Sequence, residues 1–325
     1  MYFSVIIPFF NKSATVESCI YSVLNQTFRG FEIILIDDCS SESESNFIRG
    51  LVENLNQNFD ARIRYILNKE NKGPGYSRNV GIDQSIGDIL VFLDADDQIT
   101  PNYLESIDNL YHKYQKPIII SNTIEKIGGF VRPNFINLYK KGLISIISEN
   151  VFATNDFVGA FCEDPIFCGC ANVAILKGPI NGIRFNEIDR NFEDWLFFYE
   201  VCSRFPDGII FMKSNEGVIY NNEISDSLSR RKVNILDIQI PSIFSNGKID
   251  NRFTRFIYFN WLYSCVKRLD TFENRIKFII KYFKSRFYLP TPILRFLIPT
   301  ILLIFNFEKP VIGLAKFWKK LKYDN

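Results

Sequence analysis

Residues 90–97 read Leu90-Val91-Phe92-Leu93-Asp94-Ala95-Asp96-Asp97, an apolar run that ends in three carboxylates within four positions. A short apolar run stopping in turn chemistry reads as a buried strand, which puts the acids at its carboxyl end, where open α/β sheets hold their ligands. Like charges this close repel one another and raise each other's pKa, so keeping them ionised calls for a cation among them. Hard divalent ions such as Mg²⁺ and Mn²⁺ take carboxylate oxygens, usually one or two, and complete their shell with water and substrate phosphates. The plainer alternative is a solvated acidic turn, but three acids together read as a metal and phosphate address.

Upstream of this stretch, strand and helix alternate. Residues 5–7, 32–36 and 63–67 are short β-branched or apolar runs like 89–93, with helical segments between them. In the first such segment Val16, Cys19, Ile20, Val23 and Leu24 make one apolar face, with Ser13 expected as the cap before it. The alternation predicts an α/β fold built on a doubly wound, mostly parallel sheet, with ligand groups gathering near Pro8, Asp38 and Asp96. Downstream the pattern loosens. Strands are expected at 118–120, 170–175, 209–211 and 218–220, and a helix at 191–204 with Trp195, Phe198, Tyr199 and Cys202 on its buried side. Gly128-Gly129 and Gly178-Pro179 mark turns. The expected organisation is a catalytic domain over 1–228, with a ligand-binding half at 1–116 and a half at 117–228 that shapes a second pocket. Residues 229–325 then form a helical C-terminal extension.

The net charge of +2 conceals a division. Residues 1–250 hold 23 Lys+Arg against 32 Asp+Glu, net −9, whereas residues 251–325 hold 15 against 4, net +11. A basic, aromatic tail on an acidic body points to a polyanionic surface. In the tail, Phe278, Ile279, Lys281, Tyr282, Phe283, Lys284, Arg286 and Phe287 interleave cations with apolar groups at helical spacing. That favours an anionic membrane face over nucleic acid, against the plainer reading of a helical bundle with a solvated basic face. Pro290, Pro292 and Pro299 and the cation Arg295 break the apolar stretch that follows, leaving it too short to span a bilayer. Seven cysteines without a CxxC pair, and an amino terminus lacking the basic region and long apolar core of a signal peptide, predict a reducing cytoplasmic setting, to which the basic tail adds a peripheral contact with the inner face of the membrane as an expectation.

Four patterns now fall in order: Val5-Ile6-Ile7-Pro8-Phe9-Phe10-Asn11-Lys12, Ile34-Leu35-Ile36-Asp37-Asp38-Cys39-Ser40, Gly73-Pro74-Gly75-Tyr76-Ser77-Arg78-Asn79-Val80-Gly81-Ile82, and the acidic run at 92–97. Each is weak alone. Together they resemble the nucleotide-sugar half of the inverting family 2 glycosyltransferases, over residues 3–225 and most strongly through 101. The resemblance implies an A-type glycosyltransferase fold and transfer of a sugar from a nucleotide-diphosphate donor, expected to be a UDP-sugar, to a hydroxyl of a glycan or lipid-linked glycan. A bacterial surface polysaccharide pathway is the expected setting.

By that resemblance Pro8 lies along the nucleoside, Asp38 accepts a hydrogen bond from the uracil ring nitrogen, Arg78 faces the nucleotide, and Asn11 and Ala95 join the nucleotide-sugar-binding set. Asp94 approaches the ribose side, and Asp96 holds the Mn²⁺ or Mg²⁺ that bridges the diphosphate. An ionised carboxylate suits a ring N–H because it only accepts. Phe192-Glu193-Asp194-Trp195 resembles the segment that supplies the family's general base, a role carried onto Asp194. Displacement at the anomeric carbon requires the acceptor hydroxyl to lose its proton, which a carboxylate can take. Plainer readings stand beside these: Asp37 and Asp38 as caps at a strand end, Arg78 as a surface cation, and Glu193 and Asp194 as acids favoured at a helix amino terminus.

One departure stands out. Many relatives carry a histidine in the segment matching 220–229, whereas the one histidine here is His112, expected at the surface. Asn222, Glu223 or water would then take its place. Among rivals, a sugar nucleotidyltransferase needs a Gly-rich loop where this chain has Pro8-Phe9-Phe10-Asn11-Lys12. A haloacid-dehalogenase-type phosphatase needs Thr or Val where Gln98 stands, and a dinucleotide oxidoreductase needs a small residue at Arg78. A catalytically silent membrane-associated nucleotide-binding module is the remaining alternative.

Overall fold

The apolar runs become strands where their composition places them, and the intervening amphipathic segments become helices. A computed structural model describes residues 1–59, 62–129, 131–164, 170–189, 191–213, 216–221, 238, 241–244, 251–269, 271 and 273–278. The chain forms two compact units, Met1–Glu223 and Ile224–Asn325. In chain order the first contains β1 (Phe3–Phe9), α1 (Ser13–Leu24), β2 (Phe31–Asp37), α2 (Glu42–Phe59), β3 (Ile63–Leu67), α3 (Pro74–Gln84) and β4 (Ile89–Phe92). It continues with β5 (Gln98–Ile99), α4 (Tyr103–Tyr114), β6 (Ile118–Ile120), β7 (Asn122–Glu125), β8 (Val131–Arg132), α5 (Phe135–Lys140), β9 (Ile144–Ser148) and β10 (Val151–Thr154). It ends with α6 (Phe157–Glu163), β11 (Val173–Leu176), α7 (Glu193–Arg204), β12 (Ile209–Met212) and β13 (Gly217–Tyr220).

Nine strands form one sheet in the order β3-β2-β1-β4-β11-β6-β12-β10-β9. The first four are parallel neighbours. β11 runs against both β4 and β6, β12 runs with β6, and β10 runs against both β12 and β9. Seven strands therefore point one way and only β11 and β10 the other, the mostly parallel sheet that the alternation predicts. β1 and β4 are buried along their whole length, as strands covered on both faces must be. A second sheet, in the order β5-β13-β7-β8, has its β5 immediately after the acidic run in sequence, and Asn221 at the end of β13 lies beside Asp97.

Several local expectations are corrected. The stretch expected as a strand from 170 begins with a 3-10 turn, Cys170–Asn172, and the strand starts at Val173, because the Asn172 side chain turns back to donate to the Ser121 carbonyl at 3.2 Å. Ser13 does not cap α1. Lys12 holds the cap position without a side-chain bond, and the Ser13 N–H is satisfied from a distance by Glu44 Oε2 at 2.9 Å. α7 begins at Glu193 and buries Glu193, Phe197, Phe198, Val201 and Cys202. Trp195 and Tyr199, expected on that face, are half-buried and meet the α6 rings Phe161 and Phe157 instead, since the helix is packed on two sides. The hairpin β9-β10 and the short strands β5, β7 and β8 carry no clean alternation and were not expected.

Glycines let α3 approach the sheet. A Cβ at Gly81 would stand 2.3 Å from Cγ2 of Ile6, a stiff β-branched side chain in the middle of β1. Gly81→Ala is therefore expected to destabilise the protein by about 1–3 kcal/mol through overpacking. Urea unfolding measures this, and an unchanged midpoint would contradict the close packing.

In the second unit α8 (Asn251–Arg268) buries Phe253, Ile257, Trp261 and Cys265, four residues at successive i+4 positions. Trp261 meets the rings of Phe244 and Phe278 at 5.9 and 5.5 Å. The helices expected at 279–325, the histidine-replacing candidates Asn222 and Glu223, and Cys168 lie outside the described residues. Among the described residues, no helix is long and apolar enough to cross a membrane. There, Cys19, Cys39, Cys162, Cys170, Cys202 and Cys265 are free thiols.

Candidate active site

The acidic turn sits on an aromatic support. Phe92, the last residue of β4, makes edge contacts with Phe185, Phe197 and Phe198 at 5.0, 5.7 and 6.3 Å. Each such pair contributes about 0.5–1.5 kcal/mol beyond its buried area, so the strand end is firmly held. Beyond it the Asp97 N–H closes a turn on the Asp94 carbonyl at 2.9 Å. The three acids then diverge: Ala95 is buried, Asp94 and Asp96 are partly exposed, and Asp97 is buried with Oδ1 accepting from the Asn221 N–H at 3.0 Å. Burial pushes the Asp97 carboxyl well above the usual carboxylate range, and Asp94 adds to the rise against the Asn221 bond. Asp97 thus ties the acidic turn to the end of β13.

Asp96 Oδ2 faces the Lys12 ammonium at 3.0 Å, with a quarter of its side chain exposed. The first motif assigns Lys12 no role, and its place in the loop between β1 and α1, facing the acidic turn, is the feature that marks it. Among the described residues no three His, Cys, Asp or Glu side chains converge to enclose a metal. The donor chemistry nonetheless fits a hard divalent ion: an accessible carboxylate, a site that already attracts a cation, and a carboxylate turn open to a ligand's phosphates. Asp96 is the residue that would hold it.

At the end of β2 the two neighbouring acids do different work. Asp37 is buried structure, accepting from the Ser40 N–H at 2.8 Å and the Tyr65 hydroxyl at 2.6 Å. Asp38, 3% exposed, accepts from Asn68 Nδ2 at 2.9 Å and Lys72 N–H at 3.1 Å on Oδ1, and from Gly73 N–H at 2.7 Å on Oδ2. An ionised carboxylate has about four acceptor positions, so Oδ2 keeps one. Pro8 is buried beside Ile36 in register, and exposed Asn11, at φ 49°, links the two loops by donating its N–H to Ser40 Oγ and accepting the Ser41 N–H.

Arg78 is not a surface cation. It is 4% exposed, with Nη1 donating to Glu193 Oε1 at 3.0 Å and Nη2 to Asp94 Oδ1 at 2.8 Å. Burial opposes its charge, and Cys170, Asp94, Glu193 and Asp194 more than offset it, so its pKa is raised. Cys170 is itself pushed up by burial and stays a thiol at neutral pH, which leaves the carboxylates to hold the guanidinium. Glu193, 6% exposed, is committed to Arg78. Asp194 is half-buried, bonded through Oδ1 to the Trp195 N–H at 2.8 Å. Burial pushes its carboxyl up to about 7, with Glu193 adding to the rise and Arg78 and the Trp195 bond opposing it. Of two adjacent acids, one is locked in an ion pair and the other is poised to exchange a proton near neutrality. The structure thus joins Asp94, Arg78 and the Glu193-Asp194 pair, keeps Asp96 with Lys12, and leaves Asp38 with Pro8 and Asn11 at the ends of β1 and β2. His112 is exposed on α4 beside Asp108.

Known proteins resemble this chain in sequence and in fold. The family model described as glycosyl transferase family 2 matches residues 4–171. A curated relative from Campylobacter jejuni, GalNAc(5)-diNAcBac-PP-undecaprenol beta-1,3-glucosyltransferase, is 35% identical over 187 residues, covering 57% of this chain and 54% of that protein. The teichoic acid poly(glycerol phosphate) polymerase of Staphylococcus epidermidis is 24% identical over 204 residues, 61% of this chain and 25% of the polymerase. The chain thus spans about half the length of the first relative and a quarter of the second. Among solved structures, S. aureus TarS 1-349 in complex with UDP-GlcNAc superposes with a TM-score of 0.56 at 16% identity, covering 85% of this chain and 83% of that one, which shows a shared fold. The mostly parallel sheet, the acidic turn at its strand ends and the family match lead to one assignment: the chain belongs to glycosyl transferase family 2 and has the A-type fold.

Proposed function

We propose that this protein transfers a sugar from a nucleotide-diphosphate donor, a UDP-sugar, to a hydroxyl of a glycan or lipid-linked glycan, with inversion at the sugar. The observation that carries this reading is the meeting of a donor-type acidic turn, through Arg78, with a carboxylate tuned near neutrality at the head of α7. The named activity of the Campylobacter relative and the UDP-sugar complex of TarS support the donor and acceptor classes. Polysaccharide assembly is the corresponding setting.

In this reading Asp38 offers its remaining acceptor position to the uracil ring N–H, between Pro8 and Asn11. Asp94 and Ala95 flank the ribose and diphosphate. Asp96 would hold a divalent ion, Mn²⁺ or Mg²⁺, which when bound would supply neutralisation of the charge developing on the departing diphosphate. Lys12, paired with Asp96 at 3.0 Å, would share that work. Asp194 takes the proton from the acceptor hydroxyl as the new bond forms on the opposite face of the sugar. The net +11 of residues 251–325 supports an anionic membrane surface, the inner face, as a second contact.

The test is a panel of nucleotide sugars incubated with glycan and lipid-linked acceptors, with product mass and anomeric configuration read by mass spectrometry and NMR. A glycosylated product of inverted configuration is expected from a UDP-sugar. A nucleotidyl transfer product, or a product of retained configuration, would overturn the reading.

A further inference from the structure

Positions 75, 78 and 79 of α3 are i, i+3 and i+4, one face of the helix, and all three engage the chain between Phe185 and Glu193. A Cβ on Gly75 would lie 2.6 Å from the Asn186 carbonyl oxygen and 3.4 Å from Cγ of Glu193, so helix and loop are in direct contact. Asn79 makes a two-way pair with the Phe185 backbone, donating Nδ2 to its carbonyl and accepting its N–H on Oδ1, each at 2.9 Å, and also reaches Glu187 Oε1 at 2.9 Å. Arg78 lies over the Phe185 ring at 5.3 Å, and that ring stacks on Phe197 of α7 at 3.8 Å. Between these contacts its guanidinium spans from Asp94 to Glu193.

The fork geometry matters. A guanidinium directs its donors in fixed directions and can hold two carboxylates at a set separation, whereas an ammonium is a point charge on a flexible stem. One carboxylate belongs to the donor turn and the other is the immediate neighbour of Asp194. Arg78 Nε is buried with no hydrogen-bond partner, which leaves the terminal nitrogens to carry its pairing.

We infer that Arg78 and Glu193 are positioning residues: the chain Asp94–Arg78–Glu193, clamped by Asn79, sets the distance and orientation of Asp194 relative to the donor turn. The inference rests on the reading of Asp194 as the acting carboxylate, and it assigns the arginine to protein carboxylates and not to the nucleotide. The charged and titratable groups facing Asp194 are Glu193 on its own helix, Arg78 on α3, Asp94 on the turn after β4, and Cys170 on the 3-10 turn before β11. Removing Glu193's charge should let Asp194 ionise at lower pH, and removing Arg78's should require higher pH.

The experiment compares Arg78→Lys, Arg78→Gln, Glu193→Gln and the Arg78→Gln/Glu193→Gln double variant in the full chain. UDP affinity with Mn²⁺ is measured by calorimetry, kcat as a function of pH, and amide hydrogen exchange over residues 195–198. UDP affinity should stay within about threefold of wild type in every variant, while kcat falls about ten- to a hundredfold in both Arg78→Lys and Glu193→Gln. The apparent pKa of kcat should move up in Arg78→Gln, down in Glu193→Gln and back toward wild type in the double variant, with faster exchange in both single variants. Should Arg78→Gln fail to fold, Arg78→Lys with Glu193→Gln still decides through affinity, kcat and exchange. A tenfold or larger loss of UDP affinity in Arg78→Lys alongside wild-type turnover in Glu193→Gln would overturn the inference, as would shifts of equal sign. Exchange needs no turnover, so it tests the strut even if Asp194 proves not to be the base.

Discussion

Asp194→Asn is expected to lower kcat by about 10²–10⁴-fold, the usual contribution of a positioned general base, with UDP affinity close to wild type. The amide keeps the size of the side chain and an oxygen to accept the Trp195 N–H, so packing at the head of α7 survives while the proton acceptor is lost. The pH dependence of the wild-type enzyme supplies the second half of the prediction. Burial and the neighbouring Glu193 raise the Asp194 carboxyl to about 7, and the base must be ionised to act. kcat should therefore climb with pH through about 7 and level off above it, falling by about tenfold per pH unit on the acid side. Steady-state kinetics from pH 5.5 to 9 would measure this, and the residual activity of Asp194→Asn should lose that limb. A variant turning over at the wild-type rate, or a wild-type profile flat between pH 6 and 8, would exclude Asp194 from the role.

Asp96→Asn should abolish the metal-dependent part of UDP binding and lower transfer by about 10²–10³-fold, the scale associated with removing one well-placed electrostatic group from a developing charge. The measurement is a thermal shift with UDP, with and without Mn²⁺. Wild type should show a larger shift with both together than with either alone, and the variant should not. The amide leaves Lys12 without its carboxylate partner, so part of the nucleotide affinity persists through Asp38 and the loop ends. If Asp96→Asn keeps the full Mn²⁺-dependent shift, the metal is held elsewhere. The two variants are separable, since one should lose turnover with nucleotide binding intact and the other should lose metal-assisted binding.

Asp96 and Asp194 both stand in stretches whose local pattern is readable without the fold. Asp96 belongs to a run whose apolar half must be a strand and whose acidic half must end it, and Asp194 opens a segment with the periodicity of a helix. The first four strands were legible for the same reason: a buried parallel strand is a local apolar run, read within five or six residues. The hairpin β9-β10 was not, because Ile144–Ser148 has exposed isoleucines at positions 146 and 147 and no alternation to mark an edge strand. Nor could local pattern show that β11 enters the sheet reversed, between β4 and β6.

Sequence alone determined the alternation of strand and helix, the placing of the acids at strand ends, and the order of motifs that identifies the family. Tertiary structure decided which of those acids are free to act. Asp37 and Asp38 are adjacent, yet one is consumed by Ser40, Ser45 and Tyr65 while the other retains an acceptor position. Glu193 and Asp194 are adjacent, yet only Glu193 meets Arg78, a residue 115 positions away in the chain. Periodicity and turn chemistry are properties of near neighbours, whereas desolvation and charge pairing depend on what the fold brings in from far along the chain, and those two effects set whether a carboxylate is a strut or a base.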